Sequence, residues 1–458
     1  MTFTSINPAT GASLSTYPEM ELDEAFHIIE KSNTIFKTWR KTSFDTRAMC
    51  MKAAAEKLRS NKRSLALLMT REMGKPIQQA QDEIEKCAWV CEYFAECSEN
   101  FLKPEFIKTG ADKSYIAYEP LGVILGIMPW NFPFWQVFRA AVPALMAGNS
   151  MVLKHASNVP GCALAIESIF KEAGFPENLF RTLLITSESA LSFIESPQIK
   201  GVTLTGSTAA GKSVGAKAGQ FLKKCVLELG GCDPYIILED ANIEETAAIC
   251  VTSRLLNAGQ SCIAAKRFIV VEKQREHFEK HFIEHMKSAV LGDPLDEKTT
   301  VGPLARLDLR EALHKQVLES LEKGAKCLLG GQIPEEPGAF YPPTILTNVT
   351  KGMPAYDQEL FGPVAVLMVA KDEQEAIQIA NDTSYGLGAA VFTQDLVRGE
   401  TIALKELDAG SCFVNAQVRS DPRLPFGGIK ESGFGRELSH IGIKEFTNCK
   451  TVFIKKLE

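Results

Sequence analysis

The chain has 458 residues, 45% of them hydrophobic, which predicts two or three domains that each bury a core. Its formal net charge of −6 provides no basic field for nucleic acid or anionic lipid, and its start lacks the basic and apolar regions of a signal peptide. Twelve cysteines without a CxxC pair, accompanied by only seven histidines, indicate neither a disulfide framework nor a metal site and favour a reducing cytoplasm.

The first hundred residues are predicted to be helical. From 21 to 100, and most clearly through 47–68 and 77–94, charged and apolar residues recur at helical spacing. Cys87 and Cys91 share one face of the second segment, where apolar neighbours predict a packed helix rather than a zinc site.

From residue 115 onward, short apolar runs alternate with helix-like segments, which predicts parallel α/β structure. One series has strands at 123–128, 150–153 and 201–205; a second has strands at 235–238, 267–271, 364–369, 389–392 and 412–415, with a helix at 276–290. Two such units predict a ligand cleft at the carboxyl ends of their strands, where Asn131, Lys154, Gly206 and Asn415 fall. The alternating tail 451–456 predicts an edge strand.

Cys262 is the candidate nucleophile. It ends the segment 257–262, NAGQSC, a polar turn with a glycine that can hold a thiol out of the core. Its own backbone N–H can face a developing oxyanion, whereas the other eleven cysteines are expected to be small buried apolar residues.

Glu228 is the candidate base. It lies between apolar residues in the segment 226–231, VLELGG, at the end of a strand. A carboxylate in such surroundings is either paired with a cation or kept partly protonated by desolvation, and the second state suits a base near neutral pH.

Residues 206–213, GSTAAGKS, match the phosphate-loop pattern of NTPases, and 236–240 supply an acid after an apolar strand. However, the loop lies within a strand series already under way, and no arginine finger or switch segment is recognisable. The same residues suit a helix starting at Ser207 or Thr208 whose N-terminus faces a dinucleotide pyrophosphate, with Lys154 facing the adenine ribose. The NTPase alternative predicts Mg-dependent ATP hydrolysis and no role for Cys262.

The motifs together resemble the aldehyde dehydrogenase superfamily over essentially the whole chain. They are PWNFP at 129–133, GST at 206–208, ELGG at 228–231, Cys262 in its turn, ELFGP at 359–363 and PFGGIKESG at 425–433, preceded by SINPATG at 5–11. The resemblance implies an aldehyde dehydrogenase-like α/β fold with a Rossmann-like cofactor domain at 1–101 and 121–229 and a catalytic domain at 230–432. The segments 102–120 and 433–458 would form a small β element that joins subunits into a homodimer or homotetramer.

The resemblance also implies a mechanism and a set of site residues. The Cys262 thiolate attacks the aldehyde, the Asn131 amide and the Cys262 N–H hold the oxyanion, and Glu228 activates the water that hydrolyses the thioester. The nicotinamide ring and local dipoles are expected to lower the thiol pKa. The predicted cofactor contacts are Pro129, Trp130, Lys154, Ser157, Gly206, Ser207, Leu229, Glu359 and Phe361.

Ser157 predicts the cofactor preference. Members that prefer NAD commonly carry glutamate at this position, which accepts hydrogen bonds from the ribose 2′-OH and would repel a 2′-phosphate. Serine removes that repulsion, and Lys154 lies close by in the chain to meet the added charge. We therefore expect NADP to be preferred, with NAD also usable.

Among family members, the sequence looks most like succinate-semialdehyde dehydrogenases. Arg139 follows Asn131 by about two helical turns and is expected to pair with a substrate carboxylate, with Ser420 as a second donor. Leu256 stands where many relatives carry a second arginine, and Arg419 is a candidate substitute. Glutarate semialdehyde and uncharged aliphatic aldehydes therefore remain alternatives. The predicted substrate contacts are Arg139, Trp135, Ser261, Ser420 and Phe426.

A CoA-acylating enzyme of the same fold is a further alternative. Such an enzyme would transfer the thioester to CoA and generally dispenses with the glutamate, so Glu228 favours hydrolysis.

Overall fold

Two large sheets, built from successive parts of the chain, dominate this computed structural model, which describes residues 2–457. The N-terminal part contains a hairpin, β1 (Thr2–Ile6) and β2 (Ser13–Pro18), and the helices α1 (Leu22–Trp39), α2 (Phe44–Ser60), α3 (Lys62–Met73) and α4 (Ile77–Leu102). The helical prediction for this part is confirmed. Helix α2 begins after Ser43, whose hydroxyl accepts the Thr46 N–H, and α3 ends at the left-handed Gly74.

The next elements are β3 (Glu105–Phe106), β4 (Lys113–Pro120), β5 (Val123–Met128), α5 (Trp135–Met146), β6 (Ser150–His155), α6 (Pro160–Glu172), β7 (Phe180–Thr182), α7 (Ser187–Phe193), β8 (Ile199–Thr205), α8 (Thr208–Gln220) and β9 (Lys224–Glu228). After them come β10 (Pro234–Ile237), α9 (Ile243–Leu255), β11 (Arg267–Val271), α10 (Arg275–Ser288), α11 (Leu307–Glu322), β12 (Lys326–Leu329), β13 (Thr344–Thr347), α12 (Pro354–Asp357), β14 (Val364–Ala370), α13 (Glu373–Asn381), β15 (Gly388–Phe392), α14 (Leu396–Lys405) and β16 (Ser411–Val414). The chain closes with β17 (Gly433–Phe434), α15 (Ser439–Gly442) and β18 (Thr447–Ile454); short 3-10 turns lie at Leu256–Gly259, Glu272–Gln274 and Lys430–Ser432.

The six-stranded sheet has the order β17-β9-β8-β5-β6-β7, with only β17 antiparallel. The seven-stranded sheet has the order β12-β13-β14-β11-β10-β15-β16, with only β12 antiparallel. Strands such as β5, β6, β10 and β11 are mostly apolar and are buried on both faces, as expected of parallel strands covered by helices. The predicted parallel α/β class is confirmed.

The strands predicted in the two α/β series agree with the observed ones to within two residues at each end. The tail strand predicted at 451–456 begins four residues earlier, as β18 (Thr447–Ile454). Strands β7, β12 and β13 were not predicted in either series. They have only three or four residues each, which is too few for a detectable periodicity. Within residues 2–457, every helix is too short or too polar to cross a bilayer.

The third sheet joins two segments that lie far apart in the chain, in the order β18-β4-β3. The sheet takes β3 and β4 from 102–120 and β18, an edge strand, from the C-terminal tail. Strand β17, which also lies after residue 432, pairs with β9 of the six-stranded sheet. The proposed domain limits therefore stay predictions.

Candidate active site

Cys262 lies just beyond a strained turn. Helix α9 ends at Leu255, and three successive residues, Asn257, Ala258 and Gly259, adopt positive φ angles of 54°, 53° and 74°. A Cβ at Gly259 would lie 2.2 Å from the Gly362 carbonyl oxygen, so only glycine fits this turn. Strain of this kind is held by the surrounding structure and commonly marks functional loops.

Buried polar side chains fix the loop on both sides. The Lys266 ammonium donates to the carbonyl oxygens of Ser261 (2.9 Å) and Cys262 (2.6 Å). The Gln260 side-chain oxygen accepts the Ala305 N–H at 2.9 Å. Within residues 2–457 the Cys262 N–H has no hydrogen-bond acceptor. It is therefore available as an oxyanion donor, as the sequence predicts.

Asn131 belongs to the segment that follows β5 and contacts the cysteine loop directly. Its Nδ2 donates to the Gln260 carbonyl at 3.1 Å, and its own carbonyl accepts from Asn257 Nδ2 at 2.7 Å. An amide nitrogen carries two hydrogens, so one donor remains for a substrate oxygen. The geometry is thus compatible with the predicted role of Asn131.

A buried ion pair supports the segment that carries Asn131. Lys75 and Glu83 form an ion pair with both side chains almost fully buried, and Glu83 Oε1 also accepts the N–H groups of Phe134 and Trp135, each at 2.9 Å. These N–H groups open α5, so the carboxylate caps the helix while the Lys75 ammonium packs on the Phe132 ring.

We expect Glu83→Ala to destabilise the protein by about 3 to 5 kcal/mol, because it leaves the Lys75 charge buried without a partner. The measurement is the shift in the urea unfolding midpoint. The matched control is the double variant Lys75→Met/Glu83→Gln, which removes both charges and keeps an acceptor for the α5 N–H groups. Equal destabilisation by the single and the double variant would contradict the assignment.

Glu228 ends β9 and is buried, with an exposure of 1%, and neither carboxylate oxygen has a hydrogen-bond partner among the described residues. Burial raises its pKa well above the usual value, and the nearby Glu437 carboxylate adds to this effect. Gly427 makes room for it: a Cβ there would lie 2.7 Å from Glu228 Oε1. The side chain lines neither of the two cavities at Cys262, so it must turn to reach a thioester.

Two cavities meet at Cys262. The first, of about 730 Å³ including its open mouth, is lined by seven predicted cofactor residues, Pro129, Trp130, Gly206, Ser207, Leu229, Glu359 and Phe361, together with Asn131 and Cys262. The second, of about 810 Å³, is lined by Cys262 and by all five predicted substrate residues, Trp135, Arg139, Ser261, Ser420 and Phe426. We call these the cofactor cavity and the substrate cavity.

The cofactor cavity lies at the carboxyl edge of the six-stranded sheet, because its residues follow the parallel strands β5, β8 and β9. Ser207 caps α8 by accepting the Ala210 N–H, which leaves the first N–H groups of that helix for an anion. The Trp130 and Phe361 rings meet edge to face at 5.8 Å. Free helix N–H groups suit a pyrophosphate, and the two aromatic rings suit the planar rings of a dinucleotide.

Lys154 and Ser157 lie at the same sheet edge, at and beyond the end of β6, but outside the cofactor cavity. Ser157 is exposed, whereas Lys154 is buried and donates to Ser187 Oγ at 3.0 Å. Glu359, predicted to bind the nicotinamide ribose, is paired with Lys266 at 3.2 Å and accepts the Gly231 N–H.

Arg139, which is predicted to pair with a substrate carboxylate, lines the substrate cavity but already has an anionic partner within the protein. Its guanidinium forms a buried ion pair with Glu437, donates to Thr205 Oγ1 at 3.2 Å and stacks over the Phe426 ring. Its charge is therefore already compensated within the protein. Sequence reasoning missed this because Glu437 lies almost three hundred positions away.

Lys86 is a cavity residue that sequence reasoning did not select. It lies on α4, lines the substrate cavity, and its ammonium donates to Ser420 Oγ at 2.8 Å. Along the helix it follows Gln79, Asp82 and Glu83 at spacings that put all four on one face, and all four line the cavity. This spacing was the one sequence feature that could have indicated a cavity-lining face. In the sequence, however, four polar residues on one helix face resemble an ordinary solvent-exposed face.

The phosphate-loop alternative is contradicted by the local structure. Helix α8 already begins at Thr208, so Gly211 and Lys212 lie within a helix rather than at the end of a loop. Gly211 is packed against Leu229, and the Lys212 ammonium pairs with Glu431 at 2.6 Å. No loop is left to surround a nucleotide phosphate.

The thiol of Cys262 is strongly affected by burial. Desolvation raises its pKa to about 12, although the positive charges of Arg139 and Lys266 oppose this shift. The expected lowering of this pKa is therefore not a property of the protein alone; it would need the positive charge of a bound nicotinamide.

The double α/β fold and a cysteine between these two cavities define a class, the α/β enzymes that combine a dinucleotide cleft with a thiol nucleophile. Residues 1–452 match the Aldehyde dehydrogenase family. The chain is 47% identical over 460 residues to a probable succinate-semialdehyde dehydrogenase [NADP(+)] of Synechocystis, covering 99% of this chain and 100% of that protein. It is 46% identical over 449 residues to the succinate semialdehyde dehydrogenase [NAD(P)+] Sad of Escherichia coli, covering 98% and 97% of the two chains.

A solved structure agrees with these matches. The succinic semialdehyde dehydrogenase of Streptococcus pyogenes, crystallised with NADP+ as the cofactor, superposes with a TM-score of 0.97 at 37% identity, covering 99% of this chain and 100% of that one. This chain belongs to the aldehyde dehydrogenase family.

Proposed function

We propose that this protein oxidises succinate semialdehyde to succinate with NADP+ as the preferred cofactor and NAD+ as a usable one. The observation that carries the proposal is the position of Cys262 on both cavities, which lets one sulfur meet a substrate from one side and a dinucleotide from the other. The full-length relatives that are named succinate-semialdehyde dehydrogenases support the choice of substrate.

In the proposed reaction, the Cys262 thiol loses its proton to solvent water and its sulfur bonds to the aldehyde carbon, while the Asn131 amide and the Cys262 N–H hold the resulting oxyanion. When bound, the nicotinamide ring supplies the chemistry of hydride acceptance. Loss of hydride from the substrate carbon leaves a thioester on Cys262. Glu228 then takes a proton from a water molecule whose oxygen bonds to the acyl carbon, the C–S bond breaks, and succinate leaves.

The substrate assignment is tested by the specificity constant, kcat/KM, for succinate semialdehyde, glutarate semialdehyde and butanal. Butanal has the same carbon-chain length as succinate semialdehyde but no carboxylate. We expect succinate semialdehyde to be the best of the three. A higher value for butanal would contradict the substrate while leaving the family unchanged, and would mean that Leu256 marks an uncharged substrate.

The cofactor assignment depends on Ser157. We expect Ser157→Glu to lower kcat/KM for NADP by roughly 10- to 100-fold, because its carboxylate would repel the 2′-phosphate, and to leave or improve the value for NAD. The measurement is the initial rate with each cofactor at saturating aldehyde. Ser157→Gln is the control of equal size without the charge, and an equal NADP loss in both variants would show that size alone is responsible.

The proposed oligomer, a homodimer or homotetramer, would form through the small sheet. Strand β18 is at its edge and is mostly exposed, and Phe106 and Phe453 have exposures of 67% and 58%. Exposed aromatic side chains beside an open strand edge favour pairing with another copy. The cytoplasmic location inferred from the cysteines also remains a prediction.

A further inference from the structure

The substrate cavity contains one partly buried cation that has no ion-pair partner among residues 2–457. Three cations line it, Lys86, Arg139 and Arg419. Arg139 is neutralised by its buried ion pair with Glu437. Arg419 is exposed, so water already solvates its charge. Lys86 is partly buried and forms no ion pair within residues 2–457.

Two of the carboxylates around Lys86, Glu83 and Asp421, are already bound by other groups. A third, Asp82, lies one turn earlier on α4 and lines the cavity, but it is exposed and forms no ion pair with Lys86 among residues 2–457. Glu83 is bound by Lys75 and by the first N–H groups of α5. Asp421 is bound by Arg423 at 2.6 Å. Glu83 and Asp421 are therefore not available as counterions, and the charge of Lys86 is not neutralised by an ion pair.

Neutral groups hold Lys86 in a fixed position. Its ammonium lies 4.3 Å from the centre of the Trp135 ring and donates to Ser420 Oγ at 2.8 Å. The ring and the hydroxyl orient the ammonium, but they do not neutralise it. An ammonium has three hydrogens, so it can bind a carboxylate while it keeps Ser420 in place.

We propose that the Lys86 ammonium, with the Ser420 hydroxyl beside it, binds the carboxylate of the substrate and supplies the positive charge that Leu256 does not. This proposal rests on the proposed function, because it requires a substrate that carries a carboxylate at the end opposite its aldehyde. It makes α4, rather than the residue before the cysteine loop, the element that selects a semialdehyde acid.

The pH dependence gives a signature of this role. Burial lowers the pKa of Lys86 to about 8, and the positive charge of Arg139 on α5 adds to this effect, while Cys87 and Glu83 on α4 and Asp421 after β16 oppose it. Below that value Lys86 is charged and attracts a carboxylate; above it the attraction is lost. The ratio of kcat/KM for succinate semialdehyde to that for butanal cancels the titration of Cys262, which both substrates share.

The experiment measures that ratio for the wild type, Lys86→Met, Lys86→Arg and Lys212→Met. Methionine keeps the length and the contact with Trp135 but removes the charge. We expect Lys86→Met to lower kcat/KM for succinate semialdehyde by roughly 10- to 100-fold, mainly through KM, as for a lost charged hydrogen bond. We expect its value for butanal to stay within about threefold, which also shows that the variant is folded.

The other variants complete the test. The wild-type ratio should fall as the pH rises through about 8, whereas Lys86→Arg should keep a pH-independent preference because arginine stays charged. Lys212→Met, which removes an exposed charge on α8 outside both cavities, should leave the ratio unchanged. If the wild type prefers the semialdehyde but Lys86→Met keeps that preference, the role of Lys86 is refuted and the proposed function stands. If the wild type has no preference over butanal, the proposed substrate fails, and the role of Lys86 fails with it.

Discussion

Cys262→Ala is expected to reduce the steady-state rate of aldehyde oxidation by roughly 10⁴-fold or more, because no other group can form the covalent adduct. Cys262 is the cysteine that lines both cavities, and its loop is fixed by Lys266 and Gln260. The measurement is the formation of reduced cofactor with saturating NADP and succinate semialdehyde.

The matched control for this prediction is Cys412→Ala. Cys412 is also partly buried, in β16 of the seven-stranded sheet, but lines neither cavity. It should retain nearly full activity. Residual turnover by Cys262→Ala above a few per cent of wild type would contradict the covalent mechanism, whereas equal losses in both variants would indicate a general sensitivity of the fold to cysteine replacement.

Glu228→Gln is expected to separate the two halves of the reaction. With the base removed, the acyl group should remain on Cys262, so that one equivalent of reduced cofactor forms rapidly and steady-state turnover falls by roughly 10²- to 10⁴-fold. The measurement is a stopped-flow trace of cofactor reduction, together with the intact mass of the acylated protein. Glu431→Gln, an exposed carboxylate paired with Lys212, is the control and should behave as wild type.

The stability of this variant tests the environment of Glu228 independently of activity. A carboxyl group whose folded pKa is raised contributes stability below its unfolded pKa, and this contribution is lost as the pH rises through the folded value. The wild type should therefore lose stability with rising pH in that range, and Glu228→Gln should lose less. If Glu228→Gln shows no burst, the carboxylate is needed before hydride loss, and its assignment to hydrolysis is wrong.

In the proposed mechanism, the position of Glu228 keeps water activation separate from nucleophilic attack. Its carboxylate lies at the end of β9, beside Gly427 and near the Arg139–Glu437 ion pair, and lines neither cavity. Cys262 comes from the loop before β11, in the other large sheet. Because the two groups belong to different sheets, the base can approach the acyl carbon by a side-chain rotation after the first half-reaction.

Much of the fold followed from local patterns in the sequence. Residues 123–128 and 268–271 carry no polar side chain, and such runs identify parallel strands that are buried on both faces. The sequence also predicted that Gly206 and Asn131 lie near each other. The carboxyl ends of parallel strands meet at one edge of a sheet and bring turns that are distant in sequence together. Cys262 stood out because a polar turn with a glycine is an unusual place for a cysteine.

The charges in the substrate cavity could not be predicted from the sequence. In the sequence Arg139 is an arginine near an active-site motif, and Lys86 is one of several charged residues on a long amphipathic helix. Tertiary packing decides which charges they meet, because it pairs Arg139 with Glu437 and leaves Lys86 beside Ser420 without an ion pair among residues 2–457. Hydrophobic periodicity is local and determines the secondary structure by itself, whereas the partner of a charge depends on which distant segments the folded chain brings within a few ångströms.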